Sequence, residues 1–67
     1  MPVLTFEGGS LPQEKKKELI VRMTEVAAAV TGIPEDKFIV LLRELEDGNI
    51  GVGGLTLTEV KAARGVR

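Results

Sequence analysis

Phe38-Ile39-Val40-Leu41-Leu42-Arg43-Glu44-Leu45 decides the fold. In an extended strand successive side chains point to opposite faces, so Phe38, Val40 and Leu42 share one side and Ile39, Leu41, Arg43 and Leu45 the other. Large apolar side chains stand on both sides, the mark of a strand covered on two faces. Cover for one face is written directly upstream. Leu19, Ile20, Met23, Val26, Ala27 and Val30 recur at the i, i+3, i+4, i+7 spacing of an amphipathic helix, with Lys15, Lys16, Glu18, Arg22 and Glu25 opposite. Its start reads as Ser10-Leu11-Pro12-Gln13, with Ser10 as cap, Pro12 in the first turn and Gln13 as capping-box partner. Gly32 supplies a left-handed stop, and Pro34 blocks continuation.

Further upstream, Pro2 to Phe6 is short and apolar-rich and ends at Gly8-Gly9, which fits a first strand. A helix over residues 11–31 spans about 31 Å at roughly 1.5 Å per residue. The strand over 38–45 spans about 26 Å at roughly 3.3 Å per residue, so the helix can return the chain to the sheet's starting edge. The expected unit is a right-handed β-α-β protomer with two parallel strands. One helix covers one sheet face, and another copy of the chain is the economical cover for the second. Downstream, the glycine density of residues 48–54 predicts a turn or short hairpin. From Leu55 two readings stay open: Thr56-Leu57-Thr58 as a strand, or a short helix from Thr58 to Arg64 capped by Thr58.

With 67 residues the chain is a single domain, 1–67. A domain this small buries only about 60% of the surface its unfolded chain exposes, which again favours an oligomer. Cysteine and histidine are absent. Disulfides, thiolate nucleophiles, Ser-His-Asp triads and the commoner transition-metal sites are therefore excluded. Nine Lys and Arg against ten Asp and Glu, with Phe6 and Phe38 the only aromatics, argue against binding to a nucleic acid backbone or to stacked bases. No apolar run approaches the roughly 20 residues of a membrane span. Met1 to Phe6 meets Glu7 and two glycines rather than a leader's apolar stretch, so the expectation is a cytoplasmic protein without membrane or nucleic acid partners. Glu44, Glu46 and Asp47 lack a calcium-loop spacing and read as a solvated turn, so no metal is expected. The glycines of 48–54 lack the Lys-Ser/Thr of a phosphate loop and do not follow a first strand, so no nucleotide is expected either. Lys15-Lys16-Lys17 reads as a solvated helix face.

Pro2 stands out. A small second residue normally permits removal of the initiator methionine, which would leave a free secondary amine at Pro2. An α-amino group titrates at about 7.7–8.0, close to neutrality. Proline's amine is intrinsically somewhat more basic, but an apolar pocket disfavours its charged form and lowers the pKa. A base poised near pH 7 suits proton abstraction next to a carbonyl.

Met1-Pro2-Val3 at a strand start, the amphipathic helix with its Lys16 to Ile20 stretch, Glu44 after the second strand and Gly51-Val52-Gly53-Gly54 together form one pattern over nearly the whole chain. It resembles the tautomerase superfamily, specifically the small 4-oxalocrotonate tautomerase-like proteins. The resemblance implies a β-α-β protomer that joins sheets in a dimer, with three dimers in a homohexamer and no cofactor. It implies an isomerase whose amino-terminal proline, here Pro2, is the general base that shifts a proton in a small enolisable 2-oxo acid. A family arginine in the loop before the helix aligns with Leu11, and one early in the second strand aligns with Ile39. An aromatic before the glycine segment aligns with Ile50. A pocket so altered would favour monoacids over dicarboxylates. Lys37, two residues before Ile39 and about 6.6 Å along the same strand face, is the candidate partner for a substrate carboxylate. Arg43 lies about 13 Å the other way, as an interface or solvent residue. Arg64 and Arg67 are candidates to reach a neighbour's pocket. The other readings are a proline-dependent hydratase or dehalogenase-like relative, one chain of a mixed hexamer, and a non-catalytic binding ring.

Overall fold

The computed structural model describes residues 1–64. Strand β1 (Val3–Gly8) and strand β2 (Ile39–Glu44) pair in parallel, from Val3 opposite Ile39 to Gly8 opposite Glu44. Helix α1 (Gln13–Thr31) connects them, giving the expected β-α-β protomer. Leu4, Phe6, Val40 and Leu42 share the sheet face under α1, while Val3, Thr5, Ile39 and Leu41 share the open face.

The helix starts differently from the sequence reading. Its N-cap is Pro12, with no side-chain cap, so Ser10 stands too early to fill that role. The Pro12 carbonyl instead accepts the N–H groups of Lys15 and Lys16, both at 3.0 Å. The stop is as expected: Gly32 has φ 77° and donates its N–H to the Ala28 carbonyl at 2.9 Å. Leu19, Ile20, Met23 and Ala27 are half-buried, but Val26 and Val30 remain 63% and 81% exposed. Two strands about 4.8 Å apart make a ribbon narrower than the apolar stripe of the helix, so the stripe overhangs the sheet. No described residue is fully buried.

Beyond β2 the chain forms an arm. Strands β3 (Gly51–Val52) and β4 (Leu55–Thr56) make an antiparallel hairpin. Gly53 and Gly54, at φ 60° and 87°, form the two-residue turn with both φ positive that matches the twist of a hairpin. Helix α2 (Leu57–Arg64) follows directly, so the tail holds both a short strand and a helix. The cap is Thr56 rather than Thr58. The Glu59 N–H donates to Thr56 Oγ1 at 3.2 Å and the Thr56 N–H to Glu59 Oε1 at 2.8 Å, a reciprocal capping box. Lys61 Nζ reaches Asp47 Oδ2 at 3.0 Å in the 3-10 turn Asp47–Asn49, and the Leu57 N–H donates to the Ile50 carbonyl at 2.8 Å. The arm's elements pack chiefly on one another. The radius of gyration is accordingly 15.5 Å, against about 11 Å for a compact chain of this length.

Candidate functional site

Pro2 stands at the head of β1, half-buried, and its carbonyl accepts the Ile39 N–H at 3.0 Å. That bond fixes the peptide unit directly after the proline ring. Met1 lies outside the strand and is 88% exposed, so its removal costs no packing. Extending the β1–β2 register by one pair sets Pro2 opposite Phe38, with Lys37 one residue earlier.

Lys37 does not continue the strand. It closes the 3-10 turn Glu35–Lys37, in which the Lys37 N–H donates to the Pro34 carbonyl at 3.1 Å and the Phe38 N–H to the Glu35 carbonyl at 3.1 Å. The turn follows from Pro34, whose fixed φ opens it. The strand spacing from Lys37 to Ile39 therefore fails, although Lys37 stays at the Pro2 end of the sheet and shares its turn with Glu35 and Asp36.

Within one chain the structure brings Ile39 to Pro2 and leaves Leu11 and Ile50 elsewhere. The Leu11 N–H donates to Glu44 Oε2 at 2.9 Å, at the end of the sheet where Gly8 pairs with Glu44. Six residues of strand, about 20 Å, separate that end from Pro2. Ile50 lies on the arm between the 3-10 turn and β3. Arg43 pairs with Glu7 at 3.8 Å across the open sheet face, and Arg64 ends α2. Arg67 lies outside the described residues.

Glu44 is more than part of a solvated acidic turn. Besides the Leu11 N–H it meets the Lys16 ammonium at 3.4 Å. The Leu11 N–H, then Lys16, hold its carboxyl below the ordinary glutamate range. The sequence signal is parity: Glu44 falls on the side of β2 that carries Val40 and Leu42, under the helix. Asp47 is taken by Lys61, and no group of three or more acidic side chains gathers among the described residues. No helix among them is long and apolar enough to cross a membrane.

Comparison with known proteins gives this geometry its relatives. The family model described as tautomerase enzyme matches residues 2–60. A probable tautomerase of Campylobacter jejuni is 34% identical over 53 residues, which cover 79% of this chain and 78% of that protein. Among solved structures, a homologue of 4-oxalocrotonate tautomerase is 33% identical with a TM-score of 0.79, over 88% of this chain and 95% of the other. DmpI from Archaeoglobus fulgidus is 37% identical with the same TM-score of 0.79, over 85% and 98%.

Proposed function

The chain belongs to the tautomerase family, and on that premise we propose that it shifts a proton in a small enolisable 2-oxo acid, with Pro2 as general base once Met1 is removed. The observation that carries the reading is the anchoring of Pro2. Its carbonyl is held by the Ile39 N–H while Met1 projects into solvent, so the freed amine would stand at one place at the head of the sheet. The nitrogen lone pair takes a proton from carbon as that C–H electron pair moves into the enolate. The resulting N–H then returns the proton at a second position, so nothing is oxidised or reduced. Ile39, held beside Pro2 by that bond, adds apolar surface there, and an apolar setting would disfavour the protonated amine and bring its pKa toward neutrality. Lys37, at the same end of the sheet, is the partner we assign to the substrate carboxylate. A second carboxylate would be poorly paired in such a site, so monoacids such as phenylenolpyruvate are favoured over dicarboxylates such as 2-hydroxymuconate.

The reading includes assembly. Two separate apolar surfaces support it. One is the open sheet face, with Val3 and Leu41 at 52% and 44% exposure. The other is a groove of about 530 Å³ between Leu4 and Met23, Val26, Ala27 and Val30 of α1. They lie on opposite faces of the sheet, so a single two-fold contact would leave one of them bare. A hexamer built as a trimer of dimers covers both.

Mass spectrometry of active protein is expected to find chains that begin at Pro2. A form that retains Met1 has an amide in place of the amine and should lose about a hundredfold or more in kcat/KM with phenylenolpyruvate. Pro2→Ala, which keeps a primary amine, should lose activity only in part. Full activity with Met1 in place removes Pro2 from the mechanism. Lys37→Ala should lower kcat/KM for the monoacid by about tenfold, the scale of one charge-assisted hydrogen bond. An unchanged value places the anchor elsewhere.

A further inference from the structure

We infer that Glu44 is a positioning residue: from the end of β2 its carboxylate fixes the loop between β1 and α1, and with it the place of Leu11. The start of α1 lacks support of its own. Pro12 caps it without a side-chain hydrogen bond, and Glu14 is the one acidic residue of a first turn that runs into Lys15, Lys16 and Lys17. Positive charge at the positive end of a helix dipole is unfavourable. Glu44 brings the missing negative charge from 33 residues away. One oxygen accepts the Leu11 N–H at 2.9 Å and the other meets Lys16 Nζ at 3.4 Å. The backbone that carries Glu44 is itself held, because the Leu45 N–H donates to the Gly8 carbonyl at 2.8 Å. One side chain thus ties the sheet, the loop and the helix together. Leu11, so held, joins Phe6, Lys15 and Leu19 in a groove of about 360 Å³, and the loop sets its wall.

The consequence for turnover rests on the tautomerase reading: Leu11 lies about 20 Å from Pro2 of its own chain, so in the assembly proposed above it would meet substrate at a neighbouring copy's Pro2. Glu44 touches no reacting atom in this account, so its loss should act on substrate binding rather than on the proton transfer. Amide hydrogen exchange on the full-length protein tests the positioning directly. In Glu44→Ala the Leu11 N–H should exchange about tenfold faster, while amides in the middle of α1 keep their rates. Glu44→Gln, which keeps a neutral acceptor but not the charge, should fall between. Lys16→Ala should leave the Leu11 amide nearly as slow as in the native protein. In steady state, Glu44→Ala should raise KM for phenylenolpyruvate several-fold with kcat within about twofold, the signature of lost uniform binding. A Leu11 amide at its native rate in Glu44→Ala overturns the proposal, as does a fall in kcat at constant KM. If Glu44→Ala does not fold, an unchanged Leu11 rate in Glu44→Gln overturns it instead. A native protein inert toward phenylenolpyruvate sinks the tautomerase reading, and the exchange rates alone then decide the role of Glu44.

Discussion

The body (residues 3–44) and the arm (residues 47–64) are held by opposite means. In the body the ties between elements are long-range: β1 meets β2 across some thirty-six positions of sequence, and Glu44 reaches Leu11 across 33. Parallel strands require such a crossover. The arm is held locally, by the Gly53-Gly54 turn, the Thr56–Glu59 capping box and the Lys61–Asp47 pair 14 residues apart. Neither region has a buried side chain. The difference teaches that they are incomplete in different ways. The body has ordered its backbone and presents apolar area on both faces of its sheet, so it lacks cover. The arm is closed by its own hydrogen bonds but has few contacts with its own body, so it lacks a seat.

The largest expected effect tests the body's need for cover. Leu41→Lys puts a charge on the open sheet face, beside Ile39 and across from Thr5. In the isolated chain, at 44% exposure, that change would be mild. In an assembly that buries the face, an unpaired charge costs about 3 kcal/mol or more per subunit. Sedimentation should find smaller species and chemical denaturation an earlier midpoint, with no folded 7.2 kDa monomer for the native chain at micromolar concentration. A Leu41→Lys protein that assembles and unfolds like the native one would show that this face is open to water. A smaller effect tests the arm. Thr56→Ala removes the cap hydroxyl and should cost about 1 kcal/mol, confined to α2. Amide exchange should quicken from Leu57 to Arg64 and stay unchanged in β1 and β2. Equal quickening in both regions would mean that arm and body unfold as one unit.

The same division explains what could be read in the sequence. Both body strands, the Gly32–Pro34 stop and the glycine hairpin are legible because each is fixed by a period or by a turn residue with one conformational use. The tail from Leu55 is open to two readings because strand and helix meet there without a linker. The spacing Thr56-Leu57-Thr58-Glu59 names Thr56 as the cap, and a reading that begins the helix at Thr58 passes over it. The start of α1 is another matter. Ser10 has the right chemistry for a cap, yet the group that serves that loop is the Glu44 carboxylate, and no local motif can point to a partner 33 residues away. The Lys37 spacing fails for a related reason: alternation alone extends the strand past Phe38, while Pro34 commits the chain to a turn. At the site, the partnership of Pro2 with Ile39 follows from the parallel register. The distance between Pro2 and Leu11 follows from it as well, but only once the direction of β2 is known.

The smallest expected effect compares the two regions through one carboxylate in each. Glu44 is held below the ordinary glutamate pKa first by the Leu11 N–H and then by Lys16. Glu59 is held below it first by the Thr56 N–H and then by the Thr56 hydroxyl. Each is therefore more acidic folded than unfolded, and protons bind the unfolded state more readily. The stabilisation is complete above the unfolded value of about 4.3 and is lost as pH falls through the lowered folded values. Acid should thus loosen both regions below about pH 4, modestly, because both side chains lie open to solvent and their charges are screened. Carboxylate-carbon NMR should find both midpoints below the ordinary value. Lys16→Ala should raise the midpoint of Glu44 and leave that of Glu59 alone, and Thr56→Ala should do the reverse, since the two carboxylates share no partner. A midpoint that moves in both variants would mean that the regions are coupled, either through contacts between copies or through a shared opening. In that case the arm would already have found its seat.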